Sequence, residues 1–329
     1  MTDALVAASR AAIARGSKSF ALASRLFDPV TRDRATLLYA WCRYADDVID
    51  GQVDGFGRVA SAETAAERLA ALEAGTRAAL ASPGNTTALQ LDNVTIAALA
   101  DPATIAFAAL ARVAAETAMP ARFPLDLIEG FRSDVEERRF MTFDDTLTYC
   151  YHVAGCVGVM MAIVMGVPPD DAVTLDRACD LGLAFQLDNI ARDVIEDAAN
   201  ARCYLPEAWL GEAGLTLATY ADPANRVALA SVVARLVDQA EHYASSSRYG
   251  TPKLLWRSAW AVLAAADIYG GIGRRVRAEG AAALDRRVTT SGREKFAAIA
   301  RALPAAITRR QRWAMAPSRA GLWTRPAPT

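Results

Sequence analysis

Residues 185–197 read Phe-Gln-Leu-Asp-Asn-Ile-Ala-Arg-Asp-Val-Ile-Glu-Asp, with apolar side chains at helical spacing. Oxygen-bearing side chains interrupt the apolar ones at intervals of three, four and four residues. They are Gln186, Asn189, Asp193 and Asp197. Residues three or four apart lie on the same face of an α-helix. The stretch therefore predicts a helix with one polar stripe, each member of which can offer an oxygen to a cation.

A second acidic helix is predicted earlier in the chain. Residues 37–50 read Leu-Leu-Tyr-Ala-Trp-Cys-Arg-Tyr-Ala-Asp-Asp-Val-Ile-Asp, again with apolar residues at helical spacing. Asp46 and Asp50 share a helix face, and Arg43 precedes Asp46 by about one turn. Asp47 is turned about 100° away from that pair and is the weaker candidate ligand.

The negative charges of these two helices require a partner. Both aspartate pairs are embedded in apolar sequence that suggests burial, and buried carboxylates need neutralisation. Mg²⁺ suits this role because it takes one or two protein carboxylates and completes its shell with water and phosphate oxygens. We therefore predict a Mg²⁺ site, with Mn²⁺ as a substitute, that binds a diphosphate and helps it to leave. The predicted metal ligands are Asp46, Asp50, Asn189, Asp193 and Asp197.

Cationic and hydroxyl side chains near these motifs are candidate diphosphate contacts. Ser17, Lys18 and Ser19 follow a glycine and are suited to grip phosphate, although a solvated turn has the same composition. Arg43 and Arg192 flank the aspartates. Each arginine either reaches diphosphate oxygens or pairs with the aspartates themselves.

Asp176 and Asp180 form another acidic pair four residues apart on the same predicted helix as the stripe. At about 100° per residue, Asp180 lies roughly 220° round from Asp193. We therefore expect this pair on the far side of the helix, on a solvated face.

Helical periodicity extends over the whole chain of 329 residues. Alanine and leucine dominate at helical spacing, and alternating β-branched runs are scarce, so an all-α fold is predicted. With 53% hydrophobic and 22% charged residues, a sizeable core can form. We expect one helical domain at 1–315 and an extended or frayed tail at 316–329. Glycine, proline and asparagine predict breaks at residues 51–57, 82–87, 168–171, 200–206 and 249–252.

Composition argues against several partners and cofactors. A net charge of −1, from 36 basic and 37 acidic residues, gives no basic field for nucleic acid. Two histidines, and cysteines without CxxC spacing, make zinc chemistry improbable. No obligate protein partner is evident. The cysteines are interpreted as buried thiols of a reducing compartment, and they are Cys42, Cys150, Cys156, Cys179 and Cys203.

The most apolar segment, residues 153–167, is about 15 residues long and is shorter than the roughly 20 residues that cross a bilayer. We predict a buried helix whose glycines and methionines either wall an apolar tunnel or pack in the core. The N-terminus lacks the apolar region of a signal peptide, so a cytoplasmic location is expected.

Five segments carry a resemblance to a known family. They are Gly16-Ser-Lys-Ser-Phe20, Tyr39-Ala-Trp-Cys-Arg43 running into Asp46-Asp-Val-Ile-Asp50, Tyr149-Cys-Tyr-His-Val-Ala-Gly155, Phe185-Gln-Leu-Asp-Asn-Ile-Ala-Arg-Asp193 and Arg202-Cys-Tyr-Leu-Pro206. In these segments the chain resembles the squalene and phytoene synthase family of head-to-head prenyl synthases, over nearly its whole length. The resemblance implies an all-α isoprenoid synthase fold, with the two aspartate motifs facing each other at the mouth of a central cavity.

The resemblance also implies a reaction. Two geranylgeranyl diphosphates condense: one ionises, the double bond of the other attacks the cation, and prephytoene diphosphate, a cyclopropyl compound, forms. This intermediate ionises, rearranges and loses a proton to give phytoene. The resemblance places the Tyr149 hydroxyl near the cation, Gln186 and Asn189 at the second diphosphate, and Tyr269 and Arg287 at later diphosphate contacts. Since substrate tails and product are apolar, peripheral membrane contact is also expected.

Two positions depart from the family pattern. Gly16 stands where several squalene-type relatives have histidine, and Asp188 stands where threonine is common. Asp188 is about 140° from Asp193 on a regular helix and is not expected to bind metal. The segment 200–203 looks short, so Arg202 is given no diphosphate contact.

Three other functions fit parts of the sequence. A synthase of the same fold acting on farnesyl diphosphate would make squalene or dehydrosqualene; squalene formation uses a nicotinamide cofactor, and no GxGxxG fingerprint follows a predicted strand. No nicotinamide cofactor is therefore expected. A chain-elongating synthase shares the DDxxD pattern that starts at Asp46, but not the second motif. A non-catalytic helical lipid-binding protein would carry its aspartates as surface charge.

Overall fold

The computed structural model describes residues 3–16, 24–50, 63–81 and 101–327, and their side chains except at 12–16 and 50. No β-strand occurs in these ranges, and the all-α prediction is confirmed. Contacts between helices group the chain into two compact units. The first comprises Met1–Val135 and Met160–Asp171, and the second comprises Glu136–Val159 and Ala172–Thr329. The expected division into a domain at 1–315 and a tail at 316–329 stays a prediction.

The first acidic motif lies on a helix of the first unit. The helices described in this unit are α1 (Ala4–Gly16), α2 (Pro29–Asp50), α3 (Ala65–Ala81), α4 (Pro102–Thr117) and α5 (Arg122–Val135). α2 buries Leu37 and Trp41 and packs against α4. The Arg68 side chain of α3 donates to the carbonyls of Val48 at 2.8 Å and Ile49 at 3.3 Å. Because carbonyls in the last turn of a helix lack backbone partners, α3 fixes the acidic end of α2.

The second acidic motif lies on the longest helix of the second unit. The described helices continue with α6 (Phe143–Cys150), a π-helical turn (Tyr151–Gly155), α7 (Cys156–Val164), α8 (Ala172–Ala199), α9 (Glu207–Glu212), α10 (Arg226–Ser247), α11 (Trp256–Glu279) and α12 (Gly292–Arg312). α8 packs against the π-helical turn, α10 and α11, and α11 packs against α12. Two of these helices begin with a capping box, at Thr142 for α6 and at Ser291 for α12.

The apolar segment 153–167 is a buried helix, as predicted. By length and composition the continuous helical stretch Phe143–Val164 qualifies as a membrane span, but 61% of its most apolar window is buried inside the protein, as in a core helix. A Cβ atom on Gly182 would lie 2.3 Å from the carbonyl oxygen of Ala154, and one on Gly158 would lie 2.5 Å from that of Ala178. These glycines therefore let the segment and α8 pack backbone to backbone. For Gly158 this is core packing, one of the two roles predicted for the glycines of the segment.

The Asp176/Asp180 pair does not lie on a solvated face, so that prediction is wrong. The Asp180 side chain is fully buried. Arg319 donates from Nη2 to Asp180 Oδ1 at 2.6 Å and from Nε to Oδ2 at 3.0 Å, and Arg325 donates to Asp176 at 2.6 Å. Burial raises the pKa of Asp180 above its usual value, and Arg319 opposes that rise. Both arginines belong to the segment after α12, which covers this face of α8.

All five cysteines are free thiols. Cys150, Cys156 and Cys179 are buried, as expected, whereas Cys42 and Cys203 are half-buried. Burial raises the pKa of the Cys150 and Cys179 thiols, so both stay protonated at neutral pH.

Candidate active site

The polar stripe predicted on residues 185–197 is present on α8. Its members Gln186, Asn189, Asp193 and Asp197 are all half-buried. The intervening Leu187, Ile190, Ala191 and Val194 are buried. The stripe therefore follows the border between the core of the second unit and its surface, where side chains are held in place yet remain accessible.

Two arginines bind the central carboxylate of the stripe. Arg192 donates from Nε to Asp193 Oδ1 at 2.7 Å and also binds Oδ2. Arg287 donates to Asp193 Oδ2 at 3.2 Å and to Glu196 Oε2 at 2.8 Å. Of the two roles predicted for Arg192, the structure contains the pairing with an aspartate. Arg287, which only the family resemblance pointed to, belongs to the same charge cluster.

Tyr269 lies beside the first residues of the stripe. Its ring stacks on Phe185, with centroids 4.5 Å apart and an interplanar angle of 27°. Phe185 immediately precedes Gln186, and Tyr269 lies on α11, which packs along α8. The structure therefore brings Tyr269 to the end of the stripe opposite Asp197.

Tyr149 belongs to a cluster of three aromatic rings. It is buried at the end of α6 and stacks on Tyr204, with centroids 4.7 Å apart. Phe140 lies 5.2 Å from Tyr149 and 5.8 Å from Tyr204. Aromatic faces carry partial negative charge and attract cations. Sequence reasoning gave Tyr204 no role, although the motif from Arg202 to Pro206 contained it.

The first acidic motif has its own arginine. Arg43 contacts Asp46 at 3.1 Å and donates to Asp47 at 2.6 Å. The Asp46 side chain is 47% exposed, and that of Asp47 is 14% exposed. Arg43 therefore pairs with the aspartates, which was one of its two predicted roles. Asp46 is the more accessible of the two carboxylates, and its ranking as the better ligand stays a prediction.

Four of the predicted site residues have side chains outside the described part of the chain. Ser17, Lys18 and Ser19 lie outside the described residues. Asp50 is the last residue of α2, and its side chain is likewise outside the description. The arrangement of the two aspartate motifs around one cavity stays a prediction.

Asp188, which was not assigned to the metal, is packed against a glycine of α11. It is buried, and Oδ1 has no hydrogen-bond partner among the described residues. A Cβ atom on Gly273 would lie 1.9 Å from this oxygen. The Asp188 carboxyl group therefore occupies the space that the Cβ atom of any other residue at position 273 would need.

We expect Gly273→Ala to lower the free energy of unfolding by about 1–3 kcal/mol, because the new methyl group overlaps Asp188. In an Asp188→Ala background the same change should be neutral or stabilising, since alanine is the better helix former. Gly271→Ala is the matched control, because its nearest neighbour is 3.9 Å away. Urea unfolding of the variants measures the difference, and equal effects at 271 and 273 would contradict the close fit.

Burial, followed by the nearby charge of Glu241, raises the pKa of Asp188 to about 8. In the unfolded chain the same group titrates near pH 4. Between these values the folded protein holds a proton that the unfolded chain has lost, so stability falls as pH rises, by up to about 1.4 kcal/mol per pH unit. We expect Asp188→Asn to be increasingly stabilising from about pH 5 to pH 8 in denaturant titrations. A difference that does not vary with pH would count against this.

The oxygen donors of the stripe suit a hard divalent cation. Asn189, Asp193 and Asp197 offer amide and carboxylate oxygens from one helix face. In the described part of the chain, no three acidic, histidine or cysteine side chains are already gathered for a metal. In proteins Mg²⁺ takes one or two ligands of this kind and the remainder from water and phosphate.

Comparison with known proteins identifies the family of the chain. A family model described as squalene/phytoene synthase matches residues 13–294. Phytoene synthase from Pseudescherichia vulneris is 50% identical over 315 residues, covering 95% of this chain and 96% of that protein. A 15-cis-phytoene synthase from a Paracoccus species is 48% identical over 334 residues, covering 99% of each.

Solved structures share the fold. A dehydrosqualene synthase in complex with a ligand superposes with a TM-score of 0.74 at 26% identity, covering 92% of this chain and 97% of the other. A squalene synthase from Alicyclobacillus acidocaldarius superposes with a TM-score of 0.68 at 23% identity, covering 84% and 94%. The fold is thus that of the isoprenoid synthases. Because the family model matches residues 13–294 and a phytoene synthase is 50% identical over 315 residues, the chain belongs to the squalene/phytoene synthase family.

Proposed function

We propose that the chain condenses two geranylgeranyl diphosphates head to head, through prephytoene diphosphate, to phytoene in carotenoid biosynthesis. The observation that carries this proposal is the identity of 48–50%, over nearly the whole length, with proteins named phytoene synthase and 15-cis-phytoene synthase. The first step breaks an allylic carbon–oxygen bond, and the diphosphate leaves with the electron pair. The oxygens of the stripe offer ligands for a divalent cation, and the neighbouring arginines offer donors for the departing diphosphate.

We assign the metal ligands to Asp46, Asp50, Asn189, Asp193 and Asp197. Their oxygens suit Mg²⁺, and Mn²⁺ accepts the same donors. When bound, the cation stabilises the charge that develops on the departing diphosphate. The half-buried position of the stripe on α8 supports this assignment, because the oxygens are both oriented and open to a ligand.

In this proposal the arginines exchange partners. Arg192 and Arg287 donate to Asp193 in the structure, and a guanidinium binds phosphate oxygens in the same forked geometry. If Asp193 held a cation, both arginines would be available to the diphosphate. Arg43, now on Asp46 and Asp47, would act in the same way. The remaining proposed substrate contacts are Ser17, Lys18, Ser19, Gln186, Asn189 and Tyr269.

The aromatic cluster is our candidate for the carbocation. Tyr149 and Tyr204 stack, and Phe140 closes the group. Buried rings exclude water, which would otherwise trap the cation as an alcohol, and their faces stabilise positive charge. Tyr149 therefore serves as the hydroxyl-bearing catalytic residue of the proposal, with Tyr204 beside it.

Incubation of the purified protein with C20 or C15 diphosphate and Mg²⁺, without nicotinamide, tests the proposal. We expect phytoene from the C20 substrate, identified by chromatography and mass spectrometry. Squalene or dehydrosqualene from the C15 substrate, with no C20 turnover, would replace the proposal by the farnesyl alternative. Absence of product from either substrate would favour the lipid-binding alternative.

The location and partners of the chain are proposed from its similarity to the phytoene synthases. We place the enzyme in the cytoplasm in peripheral contact with a membrane, with geranylgeranyl diphosphate as its partner molecule and neither nucleic acid nor an obligate protein partner. The catalytic domain is proposed to span 1–315.

A further inference from the structure

A stripe of apolar and basic side chains on α12 faces solvent. Phe296 is 74% exposed and Ile307 is 63% exposed. They are eleven residues apart, which places them about 20° from each other around the helix. Arg293 and Arg310 are also exposed and lie within about 60° of Phe296, one near each end of the helix. These four residues are called the α12 stripe.

The opposite face of α12 is fixed to the protein. Ala298, Ala302 and Ala306 are buried. The buried Arg309 side chain donates to the carbonyl oxygen of Leu254 at 2.8 Å and 3.1 Å. These contacts fix the orientation of α12. The α12 stripe is therefore the face that α12 turns to solvent.

Further apolar side chains adjoin α12. Trp256, at the start of α11, is exposed and stacks on Trp260, whose Nε1 donates to the carbonyl oxygen of Ile299 at 2.7 Å. Trp256 therefore lies next to α12. Met315, three residues beyond the helix, is 89% exposed. Exposed apolar groups collected in this way mark an interaction surface.

The charge around this surface is one-sided. Residues 293–329 contain eight basic residues and one acidic residue, Glu294, which binds Arg275, although the whole chain has a net charge of −1. Arg309, Arg319 and Arg325 bind partners within the protein, whereas Arg301 and Arg312 are exposed like Arg310. A helix with exposed aromatic and aliphatic residues beside arginines matches the surface of an anionic membrane.

We propose that the α12 stripe docks on the surface of a membrane that contains anionic lipids. Phe296 and Ile307 enter the headgroup region, and the arginines bind lipid phosphates. Charge complementarity favours this occupant over a second copy of the chain, because two copies meeting at α12 would bring like charges together. The proposal rests on the peripheral membrane contact proposed above and assigns it to one face of the chain. Docking needs neither substrate nor turnover, so vesicle binding tests it separately from the reaction.

Flotation with two kinds of vesicle tests the docking. We expect the protein to float with vesicles of equimolar phosphatidylcholine and phosphatidylglycerol, to stay unbound with phosphatidylcholine alone, and to dissociate as salt is raised. Phe296→Ser/Ile307→Ser and Arg293→Gln/Arg310→Gln should each weaken partitioning about tenfold. Circular dichroism and thermal unfolding check that the variants fold.

Val173→Ser is the matched control, since Val173 is 70% exposed but stands next to Asp170 and Asp171. It should float like the parent protein. The proposal is overturned if the parent protein does not bind anionic vesicles, or if the control loses as much binding as the α12 variants. It is also overturned if light scattering shows that the α12 variants dissociate a dimer while vesicle binding stays unchanged. That last result would assign the face to a second copy.

Discussion

Replacing Asp193 with asparagine is expected to lower kcat/KM by about 10²- to 10³-fold, as when one group that stabilises developing charge is lost. The change keeps the shape of the side chain and removes its negative charge. Asp193 is the carboxylate on which Arg192 and Arg287 converge, so its loss unbalances the whole cluster. Turnover of C20 diphosphate at several Mg²⁺ concentrations measures the effect, and we expect a higher Mg²⁺ requirement in the variant.

Asp238→Asn provides the control, because Asp238 is a half-exposed carboxylate of α10 paired with Arg277 at 2.9 Å. It undergoes the same chemical change outside the site and should keep parental activity. Thermal unfolding of both variants shows whether each remains folded. A folded Asp193→Asn protein within tenfold of parental turnover would remove Asp193 from the proposed metal site.

Arg319→Ala is expected to lower the free energy of unfolding by about 3–5 kcal/mol, the usual cost of leaving a buried charge without its partner. Asp180 has no exposed side-chain surface, and Arg319 is its bidentate partner. The penalty should shrink at low pH, because a protonated Asp180 carries no charge. Urea unfolding at several pH values measures it.

Two further variants separate this ion pair from general damage to the C-terminal segment. Asp180→Asn in the Arg319→Ala background should recover part of the lost stability, because the buried charge is gone. Arg277→Ala breaks the exposed pair with Asp238 and should cost less than about 1 kcal/mol. Equal costs for Arg277→Ala and Arg319→Ala would show that burial of the Asp180 pair does not matter.

Local patterns predicted much of what the structure contains. Spacing of three and four residues was enough to place Gln186, Asn189 and Asp193 on one face of a single helix, because helical geometry is set by the backbone. The same rule placed Asp46 and Arg43 within contact. Tyr204 was missed because it stacks on Tyr149, which lies 55 positions earlier in the chain. The periodicity of a sequence does not indicate contacts between residues so far apart.

The sequence by itself determined the all-α class, the two acidic helices and which face of each carries oxygen atoms. Only the tertiary structure decided the environment of those faces. The spacing of Asp176 and Asp180 predicted a solvated face, but Arg319 and Arg325 cover that pair in the folded protein. The space for the Asp188 carboxyl group likewise depends on Gly273 of another helix. The reason is physical: a helix fixes the direction of its side chains within a few residues, whereas burial and charge pairing depend on segments that meet only after the chain has folded.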